Sequence, residues 1–356
     1  MLSRSRAPLP LRLAALTAVF GLAACGSGAP AAAPADPVFV TGSATPGASA
    51  APTGSASPSA AASASPAAPC GVFPADGVWR SDVSRLPVHR SSAAYVSSIG
   101  AAAHLHPDFG SGTWEGAPIG IPVTPVKPGQ KTVKVSFEYA AESDKGPYPI
   151  PADAKVEGGR GGDGDRHVIL YDAAACKVYE LYAAYPAGSG WRAGSGAIFD
   201  LRSHKLRPAG WTSADAAGLS IFAGLVRYEE VAAGRITHAL RITVPRSRNA
   251  YVWPARHAAS SSSDAALPPM GLRLRLKASV NTSTMPKQAR VIAEAMKRYG
   301  VIVADNGSPW YLSGAPDERW SNDALRALKN LQGSDFEAVD VSGLMVSKNS
   351  GATRTG

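Results

Sequence analysis

Short runs of alternating apolar and polar residues, broken by Gly and Pro, most constrain what this chain can fold into. Residues 130–140, 237–244 and 270–279 alternate in this way, and a period of two is typical of half-buried strands. The 36 Gly and 29 Pro residues suit many turns between short strands. The sequence therefore predicts a mainly β fold of the β-sandwich or jelly-roll type.

Two hairpins and two helices are predicted within this pattern. Residues 166–172 and 177–185 flank a short turn, and the Asn-Gly pair at 306–307 separates two apolar runs, which is a strong hairpin signal. Residues 285–300 carry apolar side chains at helical spacing, and residues 321–331 form a shorter helical candidate.

Composition divides the chain into four parts. Residues 26–68 are almost wholly Ala, Pro, Ser, Gly and Thr, and such a segment buries too little apolar surface to offset the entropy of ordering. The sequence thus predicts a signal peptide at 1–24, a disordered tether at 25–68 and a disordered tail at 346–356. One β-sandwich domain with one or two C-terminal helices is expected at 69–345.

The N-terminus has the layout of an export signal. Three Arg residues precede an apolar run from Leu13 to Leu22, which is too short for a stable bilayer span. The sequence Leu22-Ala23-Ala24-Cys25 resembles the lipobox of bacterial lipoproteins. That resemblance implies a diacylglycerol on Cys25 and a location on the outer face of the cytoplasmic membrane. An ordinary secretory signal with an incidental cysteine is the alternative.

Two cysteines remain once Cys25 is assigned to the lipid. Cys70 lies where the low-complexity tract ends, and Cys176 lies in a predicted turn. Because thiols outside the cytoplasm tend to pair, we expect a disulfide between Cys70 and Cys176, with two free thiols as the alternative. No cysteine pair has the spacing of a zinc site.

The positive charge is concentrated in the second half of the chain. The net charge is +9, and between residues 235 and 298 only Asp264 and Glu294 oppose twelve basic residues. The exported setting argues against nucleic acid as the partner. Arg241, Arg273 and Arg275 could instead form a basic sheet face that binds carboxylate or phosphate groups. A solvated outer face is the alternative.

An acid–base pair is predicted after the glycine-rich loop. Asp165 and His167 are two residues apart at the start of a strand, so they share a face and could transfer protons, with Asp200 assisting. A salt-bridged strand end is the alternative. Neither the aspartates at 163 and 165 nor the residues at 104–108 form a convincing metal motif. No metal and no cofactor are therefore predicted.

Aromatic side chains provide candidate sugar platforms. Trp211, Trp253 and His257 lie near predicted turns and could stack on sugar rings, although core packing is the common role of such residues. The chain has no Gly-x-Ser-x-Gly elbow, His-Glu-x-x-His motif or phosphate-binding loop.

Several segments, among them "HLHPDFG", "GDRHVILYD" and "AYVWPARH", resemble a group of uncharacterised secreted bacterial proteins, which implies export but no activity. The predicted function is that of a lipid-anchored glycoside hydrolase or polysaccharide lyase acting on cell-surface or environmental glycan. The alternative is a non-catalytic lipoprotein that binds glycan or another anionic envelope polymer.

Overall fold

The fold is mainly β, as the alternating pattern predicts. A computed structural model describes residues 70–354, all of which belong to one compact unit. The predicted lipobox cysteine and tether lie outside these described residues. None of the helices within 70–354 is both long and apolar enough to cross a membrane.

Fifteen strands and five α-helices follow one another along residues 70–354. The strands are β1 (His106–Asp108), β2 (Thr113–Trp114), β3 (Ala117–Pro118), β4 (Val123–Pro125), β5 (Val135–Phe137), β6 (Val168–Asp172), β7 (Lys177–Tyr182), β8 (Tyr185–Ala187), β9 (Gly190–Ala193), β10 (Ser195–Asp200), β11 (Leu240–Val244), β12 (Arg273–Leu276), β13 (Val301–Asn306), β14 (Tyr311–Ser313) and β15 (Phe336–Ala338). The helices are α1 (Ser92–Gly100), α2 (Ile221–Gly224), α3 (Tyr228–Ala232), α4 (Lys287–Arg298) and α5 (Asn322–Arg326).

The largest sheet has six strands in the order β1-β14-β11-β13-β12-β15. It is mixed, because β11 pairs with β13 in parallel and β1 pairs with β14 in parallel, whereas the other pairs are antiparallel. Helix α4 packs on β12 and buries Ile292 and Met296 in the same apolar cluster as Leu274 and Val301. This burial accounts for the helical spacing seen in the sequence.

The prediction of a hairpin at Asn306-Gly307 is wrong, because β13 and β14 do not pair with each other and β11 lies between them. Ile242 of β11 is opposite both Val303 and Leu312. The chain therefore crosses the end of β11, where the Gly307 amide donates to the Val244 carbonyl at 2.8 Å. Strand β11 is apolar and buried, so it is stabilised by a central position in the sheet. This burial outweighs the local preference of Asn-Gly for a tight hairpin.

The second sheet has four strands in the order β10-β7-β6-β4. The hairpin predicted at 166–185 is confirmed, since β6 and β7 pair antiparallel from Val168 and Leu181 down to Asp172 and Lys177. The Cys70–Cys176 disulfide is also present, with a Cα–Cα distance of 5.5 Å. It joins the first described residue to the turn of this hairpin.

Both predicted helices are confirmed as α4 and as α5 followed by a 3-10 turn at Ala327–Asn330. The sequence does not predict helices α1, α2 and α3. The C-terminal segment also differs from the predicted tail, because residues 345–353 form bridges with the body of the domain. The Gly351 amide donates to the His204 carbonyl, and Trp253 Nε1 donates to the Ser350 carbonyl. These contacts hold the segment in place although its sequence is polar.

Candidate functional site

A groove of about 1160 Å³ opens where the end of β1 meets the glycine-rich loop. Asp108 and Glu157 both line it, together with residues 158–164, the β2–β3 hairpin and Tyr311. Because we propose a reaction for this groove, we call it the catalytic groove. The many glycines of the loop bring its backbone close to the cleft, and Gly158 and Gly159 adopt positive φ angles that other residues disfavour.

Glu157, which lines the catalytic groove, is paired with His167, which is buried outside that lining. His167 Nδ1 lies 2.5 Å from Glu157 Oε2, and the same oxygen accepts the His167 backbone amide at 3.3 Å. His167 Nε2 lies 3.1 Å from the Ala214 carbonyl oxygen. A carbonyl can only accept a hydrogen bond, so Nε2 carries a proton, and the carboxylate beside Nδ1 favours a second one.

The imidazole of His167 is therefore held as a cation. Burial alone would lower the pKa of His167, but the charge of Glu157 and its hydrogen bond outweigh burial and raise the pKa to about 9. In return, the His167 charge and hydrogen bonds overcome the effect of burial on Glu157 and lower the pKa of that carboxyl. Glu157 is thus kept ionised inside the catalytic groove.

The pKa of Asp108 is shifted the other way. Asp108 is exposed at the surface of the groove, but partial desolvation of its carboxyl raises the pKa, and the nearby negative charge of Glu157 raises it further, against a smaller opposing effect of Arg241. The pKa of one carboxyl of the catalytic groove is thus raised while that of the other is lowered. Two carboxyls whose pKa values are moved apart in this way are suited to the roles of a general acid and of a base or nucleophile.

Arg241 lies behind these carboxyls and is occupied by the protein itself. Its Nη2 and Nε bond the two carboxylate oxygens of Asp215 at 2.8 and 3.0 Å, and Nη1 donates to Ser313. Asp305 is 3.9 Å away, and burial together with the Asp215 charge raises the pKa of Asp305 to about 7. Arg241 is 3% exposed, so its guanidinium is a buried counter-charge and does not face a ligand.

The three arginines proposed for a basic face do not form one. Strand β13 separates β11, which carries Arg241, from β12, which carries Arg273 and Arg275. Arg273 is buried and donates to the Tyr299 and Val78 carbonyls. Arg275 pairs with Glu337 at 2.8 Å and donates to two further carbonyls. Their donors are used within the fold, so they are unavailable to a substrate.

Of the predicted catalytic residues, His167 alone contacts a carboxylate that lines the catalytic groove, that of Glu157. Asp165 is exposed and is outside the lining of the catalytic groove, although its charge helps to raise the pKa of His167. Asp200 lies at the end of β10, opposite Lys177, and accepts a hydrogen bond from the Arg202 amide at 2.9 Å. The structure therefore does not bring Asp200 to His167.

The predicted aromatic platforms also lie elsewhere. Trp211 sits beside Arg207, whose guanidinium carbon is 5.5 Å from the ring centre. His257 Nδ1 bonds the Ala216 carbonyl oxygen at 2.8 Å, and Trp253 bonds the C-terminal segment. None of Trp211, Trp253 and His257 lines the catalytic groove.

Different aromatic residues line the catalytic groove. Trp114 on the β2–β3 hairpin is 73% exposed. His106 stacks on Tyr311 with ring centres 4.2 Å apart, and both belong to the lining. An exposed indole at the edge of a cleft has no packing role, which makes it available for stacking on a sugar ring.

Sequence reasoning missed Asp108, Glu157 and Trp114 as site residues. A signal was present, because Asp108 lies in the "HLHPDFG" segment and Glu157 opens the glycine loop that leads to His167. Asp108 lies on β1 of the six-stranded sheet and Glu157 lies before β6 of the four-stranded sheet, and no local pattern indicates that both line one groove.

Within residues 70–354, no group of three or more His, Cys, Asp and Glu side chains is arranged to hold a metal ion. No protein-family model, curated protein or solved structure matches the chain significantly.

Proposed function

We propose that this protein is an extracytoplasmic enzyme that cleaves glycosidic bonds in its catalytic groove. The observation that carries the proposal is that Asp108 and Glu157 line one groove and that their pKa values are shifted in opposite directions. Glycoside hydrolysis requires two carboxyls with these roles on either side of the scissile bond.

In the proposed reaction, protonated Asp108 gives its proton to the glycosidic oxygen as the bond to the anomeric carbon breaks. Ionised Glu157 either attacks that carbon or takes a proton from the attacking water, and the stereochemistry of the product distinguishes the two routes. His167 is a positioning residue, because it contacts Glu157 and the Ala214 carbonyl and is itself buried. Trp114 would stack on a neighbouring sugar.

A lyase is the variant of this proposal for uronate-containing glycans. Glu157 would then remove the proton next to the carboxylate, and Asp108 would protonate the departing oxygen. A cation must neutralise the substrate carboxylate, and the lining of the groove contains three candidates, Arg160, Arg326 and Lys329. The mass of the products separates the variants, since a lyase adds no water.

A non-catalytic glycan-binding lipoprotein is the second candidate. It is favoured by the exposed Trp114 and the His106–Tyr311 stack, which suffice to bind a sugar without any proton transfer. In that case the Glu157–His167 pair would be structural.

We also propose that the chain is anchored through Cys25 to the outer face of the cytoplasmic membrane. The lipobox-like sequence supports this, and so does the Cys70–Cys176 disulfide, since disulfides persist in oxidising compartments. A sandwich-like arrangement of the domain stays a proposal too. It is supported by the presence of two main sheets and by α2, which contacts both of them. Phe222 of α2 stacks on Tyr171 of β6 in the four-stranded sheet, and α2 also contacts β11 in the six-stranded sheet.

The test is to incubate the full-length, oxidised chain with purified cell wall and a panel of neutral and acidic polysaccharides. Mass spectrometry then measures the released oligosaccharides. Products that have gained one water indicate a hydrolase, and unsaturated products that have not indicate a lyase. If no substrate yields a product but one of them still binds, the proposed enzymatic activity is overturned and the glycan-binding lipoprotein is favoured. A Glu157→Gln variant controls for contaminating activity.

A further inference from the structure

A second groove of about 1170 Å³ runs beside α4 and shares no lining residue with the catalytic groove. Its walls come from α4, the loop at 278–283, the turn at 234–237 and the segment around Ser84. We call it the α4 groove. Its chemistry is set by basic side chains, which the proposed glycan cleavage does not use.

Three cations of the α4 groove lack a carboxylate partner. Arg298 pairs with Asp82 at 3.0 Å and Lys297 with Glu294 at 3.4 Å, which uses both acidic residues of the lining. Arg235, Lys287 and Arg290 are exposed, and within residues 70–354 none of them has an acidic group within 4.0 Å. The α4 groove thus carries an uncompensated positive charge.

The position of two of these cations is unfavourable for the helix itself. Lys287 and Arg290 lie in the first turn of α4, which has no acidic residue. The helix dipole makes this end positive, so a cation there destabilises the helix. Helix stability therefore does not explain them, whereas binding of an anion would.

The shape and the remaining lining favour a linear polymer over a membrane surface. The 12 residues of α4 extend for about 18 Å, a length that spans several sugar units. Hydroxyl and amide groups of Thr237, Ser279 and Asn281 also line the groove. The large apolar side chains that are exposed within residues 70–354 lie outside it, so it has nothing to insert among lipid tails.

We propose that the α4 groove binds a linear anionic polysaccharide through Arg235, Lys287 and Arg290. The guanidinium groups bond carboxylate or phosphate oxygens in pairs, and the lysine acts as a point charge. This site is separate from the catalytic groove, and it would keep an anionic glycan attached to the protein independently of cleavage.

The test measures binding of polygalacturonate to the full-length chain by calorimetry at low and high salt. Arg235→Gln, Lys287→Gln and Arg290→Gln together should weaken binding at least tenfold. The matched control replaces Lys127, Lys131 and Lys145 by Gln, which are exposed lysines outside the α4 groove. It lowers the net charge equally and should change the affinity less than twofold. Thermal unfolding verifies that both variants fold.

Neutral dextran should not bind, and high salt should weaken the polygalacturonate complex. Equal losses in the two triple variants would overturn the proposal by showing that overall charge alone attracts the polymer. No binding of polygalacturonate would also overturn it. Binding to phosphatidylglycerol vesicles without binding to polygalacturonate, lost in the first triple variant, would identify a membrane surface as the partner instead. None of these outcomes depends on catalytic activity.

Discussion

Glu157 and His167 are ten residues apart in sequence, yet Oε2 of Glu157 and Nδ1 of His167 lie 2.5 Å apart. The glycine-rich loop between them folds back, so both ends reach the start of β6. The same carboxylate oxygen also accepts the His167 backbone amide. This double contact fixes the direction of the carboxylate and, through the imidazolium charge, keeps it ionised next to Asp108.

The stability of the fold should depend on the charge of His167. Its pKa is about 9 in the folded chain and about 6.5 when unfolded. Because the folded pKa is higher, the stabilisation is complete below about pH 6.5 and is lost as the pH rises through about 9. It amounts to at most about 3 kcal/mol.

Urea unfolding of the native chain and of His167→Gln measures this contribution. The unfolding free energy of the native chain should exceed that of the variant most at about pH 6, and this difference should be smaller at about pH 10. A difference in unfolding free energy that stays constant between these two conditions would show that the imidazole is neutral in the folded chain.

The rate of cleavage should depend on pH in a bell shape. Activity requires ionised Glu157, whose pKa is lowered, and protonated Asp108, whose pKa is raised. The acidic limb therefore reports Glu157 and the alkaline limb reports Asp108. In His167→Gln the acidic limb should move to higher pH, because Glu157 loses the charge that lowers its pKa. An unmoved acidic limb would assign that limb to another group.

Trp114 should contribute to substrate binding and little else. Its ring is 73% exposed, so Trp114→Ala should leave the unfolding free energy unchanged. Loss of one stacking contact should raise KM by up to about tenfold with kcat nearly constant. Tyr139→Ala is the matched control, since Tyr139 is 49% exposed and outside the catalytic groove. Equal effects of the two variants on KM would argue against the proposed platform.

Arg241 should act on stability and not on substrate affinity. Arg241→Met leaves Asp215 buried without its counter-charge, which should cost about 3–5 kcal/mol of unfolding free energy. The double variant Arg241→Met, Asp215→Leu removes both charges and should regain part of this loss. A stable Arg241→Met protein with weakened glycan binding would instead support the substrate-binding role that the sequence suggests.

The sequence is sufficient to predict the local features of the fold and one member of the Glu157–His167 pair, His167. Alternation predicts β6, β7 and their hairpin, and helical spacing predicts α4, since these depend on neighbouring residues. His167 is found because it directly precedes a buried strand. Strand order is not local, and the insertion of β11 between β13 and β14 removes the predicted hairpin.

The same limitation explains the errors at the site. Arg273 alternates with leucines as an exposed residue would, but the loop containing Val78 covers it and accepts its hydrogen bond. Asp108 lies on a strand of the six-stranded sheet, whereas Glu157 lies beside the four-stranded sheet, so their proximity depends on how the two sheets pack and not on local sequence. Asp165 shares the sequence neighbourhood of His167, yet the chain turns at Arg166, which has a positive φ of 51°, and Asp165 stays in solvent.

The most direct test of the account compares Asp108→Asn with Asp165→Asn on the first substrate that yields products. Both changes replace one carboxylate by an isosteric amide, and only Asp108 lines the catalytic groove. Initial rates of product release should fall by about 10²–10⁴-fold in Asp108→Asn, the range for loss of a general acid, and by less than about threefold in Asp165→Asn. A full loss in Asp165→Asn with normal rates in Asp108→Asn would contradict the account and place the chemistry outside the groove.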